Sequence, residues 1–168
     1  AAPPGPVLVA DPARLDRIRE RLGDAIGDRP PIGLVPSARH ATKTWPLEHM
    51  AQLARRCLAG GLAVVVLGGP GDAPLAGQLA ASLDGPALVD LSGVPLGDLT
   101  ATLATCRAVV SPDSGPAHMA AALGVATVAL FGPTSPERWS PVGARVRVVR
   151  RELACSPCSN HGGASCPV

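Results

Sequence analysis

Apolar positions along the chain follow two periods. Short aliphatic runs occupy residues 32–35, 62–67, 87–91, 108–111 and 125–131. Runs of this length read as strands, and the unbroken one at 62–67 suits a strand buried on both faces. Between the runs, apolar residues recur at helical spacing. Leu15, Ile18 and Leu22 form one stripe, Leu47, Met50, Leu53, Ala54, Cys57 and Leu58 a second, and Leu96, Leu99 and Leu103 a third, inward-facing one. Helices are also predicted over residues 73–83 and 118–123, and further strands over residues 7–10 and 145–149. The punctuation agrees. Asp11-Pro12 is a cap followed by a proline at the first helical position, Pro46 opens the second helix, and Gly60-Gly61 and Gly124 close helices.

Strand and helix therefore alternate with short connections. The predicted fold class is α/β, a Rossmann-like parallel sheet with helices on both faces. Ligands in such sheets sit at the carboxyl ends of strands. The informative loops are 36–45, 68–72, 92–95, 112–118 and 132–136, and the polar and glycine-rich residues fall in them.

The length, 168 residues, suits one domain with a sizeable core. Residues 1–5 read as a linker, residues 1–30 as that linker and a leading helix, residues 31–150 as the domain, and residues 151–168 as a Cys-rich tail. One Phe, two Trp and no Tyr leave little for stacking on single-stranded nucleic acid. A net charge of +2 without a basic block gives no phosphate-backbone footprint, so no nucleic-acid partner is expected. No apolar stretch approaches the roughly 18 residues of a transmembrane segment. No signal peptide is seen, but the first residue is not Met, which fits a chain that begins partway through a longer protein. Of five cysteines, Cys57 and Cys106 fall in predicted helices as small buried residues, and Cys155, Cys158 and Cys166 cluster near the end. The odd count argues against a disulfide-built fold, and a reducing compartment is expected.

Four loops carry candidate chemistry. Asp113-Ser114-Gly115-Pro116-Ala117-His118 leaves a strand and opens a helix, whose amides and dipole suit an anion such as pyrophosphate. Gly115 permits close backbone approach, Ser114 offers a hydroxyl, His118 reaches the same anion, and Asp113 can accept bonds from sugar hydroxyls. An ordinary helix cap explains the same residues equally well. The second loop, from Ser37 through Arg39, His40 and Thr42 to Lys43 and Trp45, mixes basic groups with hydroxyls, and Lys43 can place a point charge on phosphate. Its plainer reading is a solvated basic loop. Gly68-Gly69-Pro70-Gly71-Asp72 places an acid where dinucleotide folds hold ribose, but its spacing is not that fingerprint. A common Gly-Pro turn accounts for it more simply. Cys155, Cys158 and Cys166, with His161 between, can be read as a zinc site, a thiol pair or inert cysteines; no metal is the favoured reading.

Together these loops resemble one family. Lys43-Thr44-Trp45-Pro46 resembles its K-x-W-P motif, Gly68-Gly69-Pro70 its G-G-P turn, and Asp90-Leu91-Ser92-Gly93 its D-L-T/S-G segment. The stretch from Asp113 to Ala122 resembles its D-[ST]-G-x-x-H-x-A-A-A core, and Phe131-Gly132-Pro133-Thr134 its F-G-P-T loop. The Cys-x-Pro-Cys tail also matches the Cys-rich end of many members. The match runs in order through most of the chain and is similar to glycosyltransferase family 9, the ADP-heptose:lipopolysaccharide heptosyltransferases.

The resemblance implies the C-terminal, donor-binding half of a two-domain GT-B enzyme. It implies an inverting transfer of heptose, or a related sugar, from an ADP-sugar to a lipopolysaccharide-core or other carbohydrate acceptor. On the family pattern Lys43, Ser114, Gly115 and His118 flank the diphosphate, with Ser37 and Thr42 as hydroxyl helpers. Asp113 would hold the donor sugar, Asp72 the ribose (where members often carry Glu), and Val94 would line the adenine. No cofactor is required, and Mg2+ would enter only with the donor diphosphate. The general base is expected on an N-terminal acceptor domain that these residues do not include, so this chain alone is expected to turn over little. The resemblance also implies a cytoplasmic parent protein, which a lipid-linked acceptor would draw to the inner membrane as a peripheral protein. The competing class is a non-catalytic nucleotide or nucleotide-sugar binding module on the same fold. A third is a zinc-dependent interaction module built on the tail.

Overall fold

The computed structural model describes residues 7–83, 85 and 87–166. The linker expected over residues 1–5 lies outside them. The leading helix α1 (Pro12–Ile26) starts as its sequence dictates: the Asp11 carboxylate accepts the Arg14 amide at 2.9 Å, and proline occupies the first position. Gly27, at φ +58°, ends it. There follow β1 (Pro31–Leu34), a 3-10 turn (Ala41–Lys43), α2 (Leu47–Ala59), β2 (Ala63–Leu67), a second 3-10 turn (Pro70–Asp72) and α3 (Ala73–Ala81). Then come β3 (Leu88–Leu91), α4 (Leu96–Thr105), β4 (Ala108–Pro112), α5 (Gly115–Ala122), β5 (Ala126–Phe131), the short α6 (Pro136–Trp139) and β6 (Val146–Arg150).

All six strands are parallel, in the order β3-β2-β1-β4-β5-β6. This is the doubly wound order, in which the chain leaves β1 toward one edge and returns to its other side with β4. Leu34 pairs with Val66 on one flank and Val110 on the other, so β1 is the centre of the sheet. Two cores flank it. On β2, Ala63, Val65 and Leu67 pack with α1 and α4, whereas Val64 and Val66 pack with α2 and α3. The period of two splits one aliphatic run between both faces, and all five side chains are fully buried.

Several sequence expectations change. Residues 7–10 form no strand. Val7 and Val9 are exposed, and the Leu8 amide bonds the carbonyl of Ala122, since among the described residues no neighbouring strand lies there to pair with. Leu96 is 68% exposed instead of inward, because it is the first residue of α4 and the helical stripe meets the core only from Leu99. Cys106 caps α4 in extended conformation instead of lying within the helix. It is buried as expected, and that burial pushes its thiol up to about 12. Cys57 is half-buried and its thiol is raised by the same cause. Helix α5 starts at Gly115, ahead of the expected residue 118, since Pro116 fits a first turn. Among the described residues, no helix is long and apolar enough to cross a membrane.

Gly33 marks the tightest point of the sheet. A Cβ there would sit 2.7 Å from Leu67 Cδ1 and 3.0 Å from Cys106 Sγ. Both neighbours are buried and cannot withdraw into solvent. Gly33→Ala is expected to lower unfolding free energy by about 1–3 kcal/mol through overpacking. Urea denaturation at unchanged slope checks this; wild-type stability would contradict it.

Candidate functional site

The turning point of a doubly wound sheet leaves a crevice between the two central strands, because their following loops diverge to opposite faces. Here those loops follow β1 and β4. A cleft of about 830 Å³ opens between them, lined by Ser37, Arg39, His40 and Lys43 from the first and by Asp113, Ser114, Gly115 and His118 from the second. Asp72, after β2, and His161, from the tail, complete its polar wall.

One ion pair joins the two loops. Lys43 Nζ lies 2.7 Å from Asp113 Oδ2, with side chains only 14% and 6% exposed. The same oxygen accepts the Thr134 hydroxyl at 2.7 Å, and Thr134 is itself buried in the loop after β5. Three consecutive strand ends, β1, β4 and β5, thus meet at one carboxylate oxygen. A buried carboxylate needs such partners, since an isolated charge there carries a large desolvation penalty. Asp113 Oδ1 is the oxygen left for a further donor.

The neighbouring acid is held similarly. Asp72 accepts the Ser37 hydroxyl through Oδ1 and the Gly69 amide at 2.7 Å through Oδ2. Ser37 and Asp72 therefore act as one unit bridging the loops after β1 and β2. Helix α5 begins with no side-chain cap, because the Ser114 hydroxyl lies 3.0 Å from Ser111 Oγ instead of closing on its own helix. Gly115 is exposed at that end and lines the cleft, so the positive end of the dipole faces the opening.

With histidines neutral, the lining charges cancel: Arg39 and Lys43 against Asp72 and Asp113. The ring N–H donors of His40, His118 and His161 and the positive end of the α5 dipole leave the cleft suited to an anion.

Two sequence-selected residues lie elsewhere. Thr42 faces the tail: its hydroxyl donates to Gly163 O at 2.9 Å and accepts the Gly163 amide at 2.8 Å. Val94 is half-buried against the core beneath α1 and α4 and does not line the cleft. Cys155, Cys158 and Cys166 are exposed free thiols lining a separate cavity of about 470 Å³ beside the cleft. Among the described residues, no group of three or more His, Cys, Asp or Glu is placed to hold a metal ion. Sequence reasoning did not select Thr134 as a site residue and weighed His161 only beside the cysteines, as part of a zinc site. Thr134 stood inside the F-G-P-T loop and His161 inside the tail, but only folding brings either to the cleft.

The ion pair has a measurable consequence for stability. Lys43→Met, which strips the carboxylate of its charge partner, is expected to cost about 1–3 kcal/mol, and Thr134→Val about 1 kcal/mol. Denaturant unfolding of both variants checks this. Wild-type stability in Lys43→Met would show that the pair is not part of the folded framework.

Comparison with known proteins places this geometry. The model of "Glycosyltransferase family 9 (heptosyltransferase)" matches residues 6–165. The lipooligosaccharide heptosyltransferase 2 of Haemophilus influenzae is 33% identical over 153 residues, 86% of this chain and 44% of its own length. The solved E. coli ADP-heptose LPS heptosyltransferase II superposes with a TM-score of 0.80 at 29% identity, covering 94% of this chain and 47% of that one. E. coli heptosyltransferase WaaC with ADP-2-deoxy-2-fluoro heptose superposes with a TM-score of 0.64 at 26% identity, over 82% of this chain and 41% of that one. The chain thus spans less than half the length of these relatives. With a family model matched over nearly all its residues and the doubly wound sheet shared with solved members, this chain belongs to glycosyltransferase family 9, the heptosyltransferases.

Proposed function

We propose that this chain is the donor-binding domain of a glycosyltransferase that moves heptose, or a related sugar, from an ADP-sugar to a lipopolysaccharide-core or other carbohydrate acceptor. The observation that carries the reading is the Lys43–Asp113 pair at the crevice between β1 and β4. It holds a cation opposite the uncapped start of α5, where a diphosphate would be met from two sides. The ADP part of the proposal draws on the relatives, of which one is named for ADP-heptose and another is solved with an ADP-fluoroheptose.

On this reading the domain acts on the leaving group. Negative charge builds on the diphosphate as the bond to the sugar breaks. Lys43 and the Gly115 amide at the positive end of α5, fixed before the reaction, stabilise that charge without reorganising. Asp113 keeps Lys43 in place through Oδ2 and offers Oδ1 to a sugar hydroxyl. Asp72, held by Ser37 and Gly69 on the cleft wall, would meet the ribose. Ser114 and His118 reach the phosphates from the helix side. Mg2+ would enter only with the donor diphosphate. The acceptor and the general base that activates it belong to the rest of such an enzyme.

Calorimetric titration with ADP, UDP and GDP tests the proposal. ADP is expected to bind in preference to the other two, and Lys43→Ala to weaken it by about tenfold or more, the cost of a charge-assisted contact. Equal binding of all three would remove the adenine assignment. Undiminished affinity in Lys43→Ala would remove the diphosphate from this cleft.

A further inference from the structure

The Cys-rich tail has no part in the function proposed above, yet it is tied to the cleft at several points. Leaving β6, it crosses the loop after β5, where Ser156 Oγ donates to Gly132 O at 2.7 Å. The amides of Cys158 and Ser159 then both donate to Pro133 O, at 2.9 and 3.0 Å. Ser159 Oγ in turn accepts the amides of His161 and Gly162, at 3.2 and 2.8 Å, which folds the chain into a tight turn. Gly163 makes three bonds to Thr42, one residue before the cleft lysine.

Between these anchors lies Gly162, at φ +87°. A Cβ on it would fall 3.0 Å from His40 Cβ and from Lys43 Cγ, and 3.1 Å from Lys43 Cε. The tail therefore lies flat on the stem of Lys43, in a conformation and at a distance that favour glycine. The turn carries His161 onto the cleft wall. Its ring tilts against Trp139 with centroids 5.3 Å apart, and it lines the same cavity as Lys43, His118 and Gly115. Because Lys43 shares its charge with Asp113, an incoming polyanion gains from each additional donor in this wall.

We propose that the turn at residues 159–163 delivers His161 to the wall of the anion site, where it is a diphosphate-contacting residue. The inference rests on the donor-domain reading and adds to it a ligand from outside the two loops of the crevice. The tail's anchors become part of the site by the same argument. Thr42, which faces away from the cleft, acts as a positioning residue by holding Gly163.

Titration of this chain with inorganic pyrophosphate and, separately, with ADP tests the inference in four proteins: wild type, His161→Ala, His161→Lys and Gly162→Ala. His161→Ala is expected to weaken both probes by about threefold to tenfold, as for a solvent-accessible charge-assisted contact. His161→Lys keeps a donor at this position and is expected to restore most of the loss. Gly162→Ala, which lifts the wall while keeping His161, is expected to weaken both probes as well. In wild type, the imidazole proton resonances of His161 are expected to shift as pyrophosphate is added, which a merely structural role would not produce. Wild-type affinity in His161→Ala, with ADP still bound by the unmodified chain, would overturn this inference and leave the donor reading standing. Pyrophosphate binding that depends on His161 without any ADP binding would support the anion wall and overturn the nucleotide. Failure of the wild-type chain to bind either probe would overturn both.

Discussion

One carboxylate oxygen organises this molecule's functional end. Asp113 Oδ2 takes the ammonium of Lys43 and the hydroxyl of Thr134, and with them it ties together the loops after β1, β4 and β5. Parallel strands end side by side with their connections diverging, so the carboxyl edge of such a sheet is open unless something crosses it. Here a nearly buried ion pair does so at the turning point of the winding. Charges at this depth persist only with partners, and each group therefore fixes the other's loop. Around that node the arrangement repeats on a smaller scale: Ser37 and Asp72 bridge β1 to β2, and Thr42 and Gly163 bridge β1 to the tail.

The pair also sets the electrostatics. A lysine neutralised by its own aspartate is a poor free cation but a well-placed one. An arriving diphosphate would be held by groups already in position, the lysine on one side and the Gly115 amide and dipole end of α5 on the other, at little cost in ordering. The histidines around the rim add ring N–H donors. The tail completes this by lying along the lysine stem at Gly162 and presenting His161.

Most of the sheet was legible in the sequence because fully buried parallel strands leave unbroken aliphatic runs, and residues 62–67 contain the whole of β2. Element ends were less legible. Leu96 has the spacing of an inward residue, but periodicity does not say where the core beneath it stops. Val7 and Val9 have strand composition, but nothing in local sequence tells whether a partner strand is near. The crevice loops were identifiable from their residue types and order, and Lys43 and Asp113 were both singled out. Their contact was not legible, since it follows from β1 and β4 being neighbours, a property of strand order and not of either segment. Thr42 had the chemistry of a phosphate helper, and only the tail's path shows its hydroxyl committed to Gly163. His161 was hidden for the same reason: the bonds that bring it to the cleft join residues far apart in the chain.

The most direct test of the account is a crystal structure of this chain with ADP. The account predicts the diphosphate in the crevice between β1 and β4, with Lys43 Nζ and the Gly115 amide at the start of α5 both within hydrogen-bond distance of phosphate oxygens. ADP bound elsewhere, or in the crevice with Lys43 still turned wholly to Asp113 and no contact to phosphate, would contradict it.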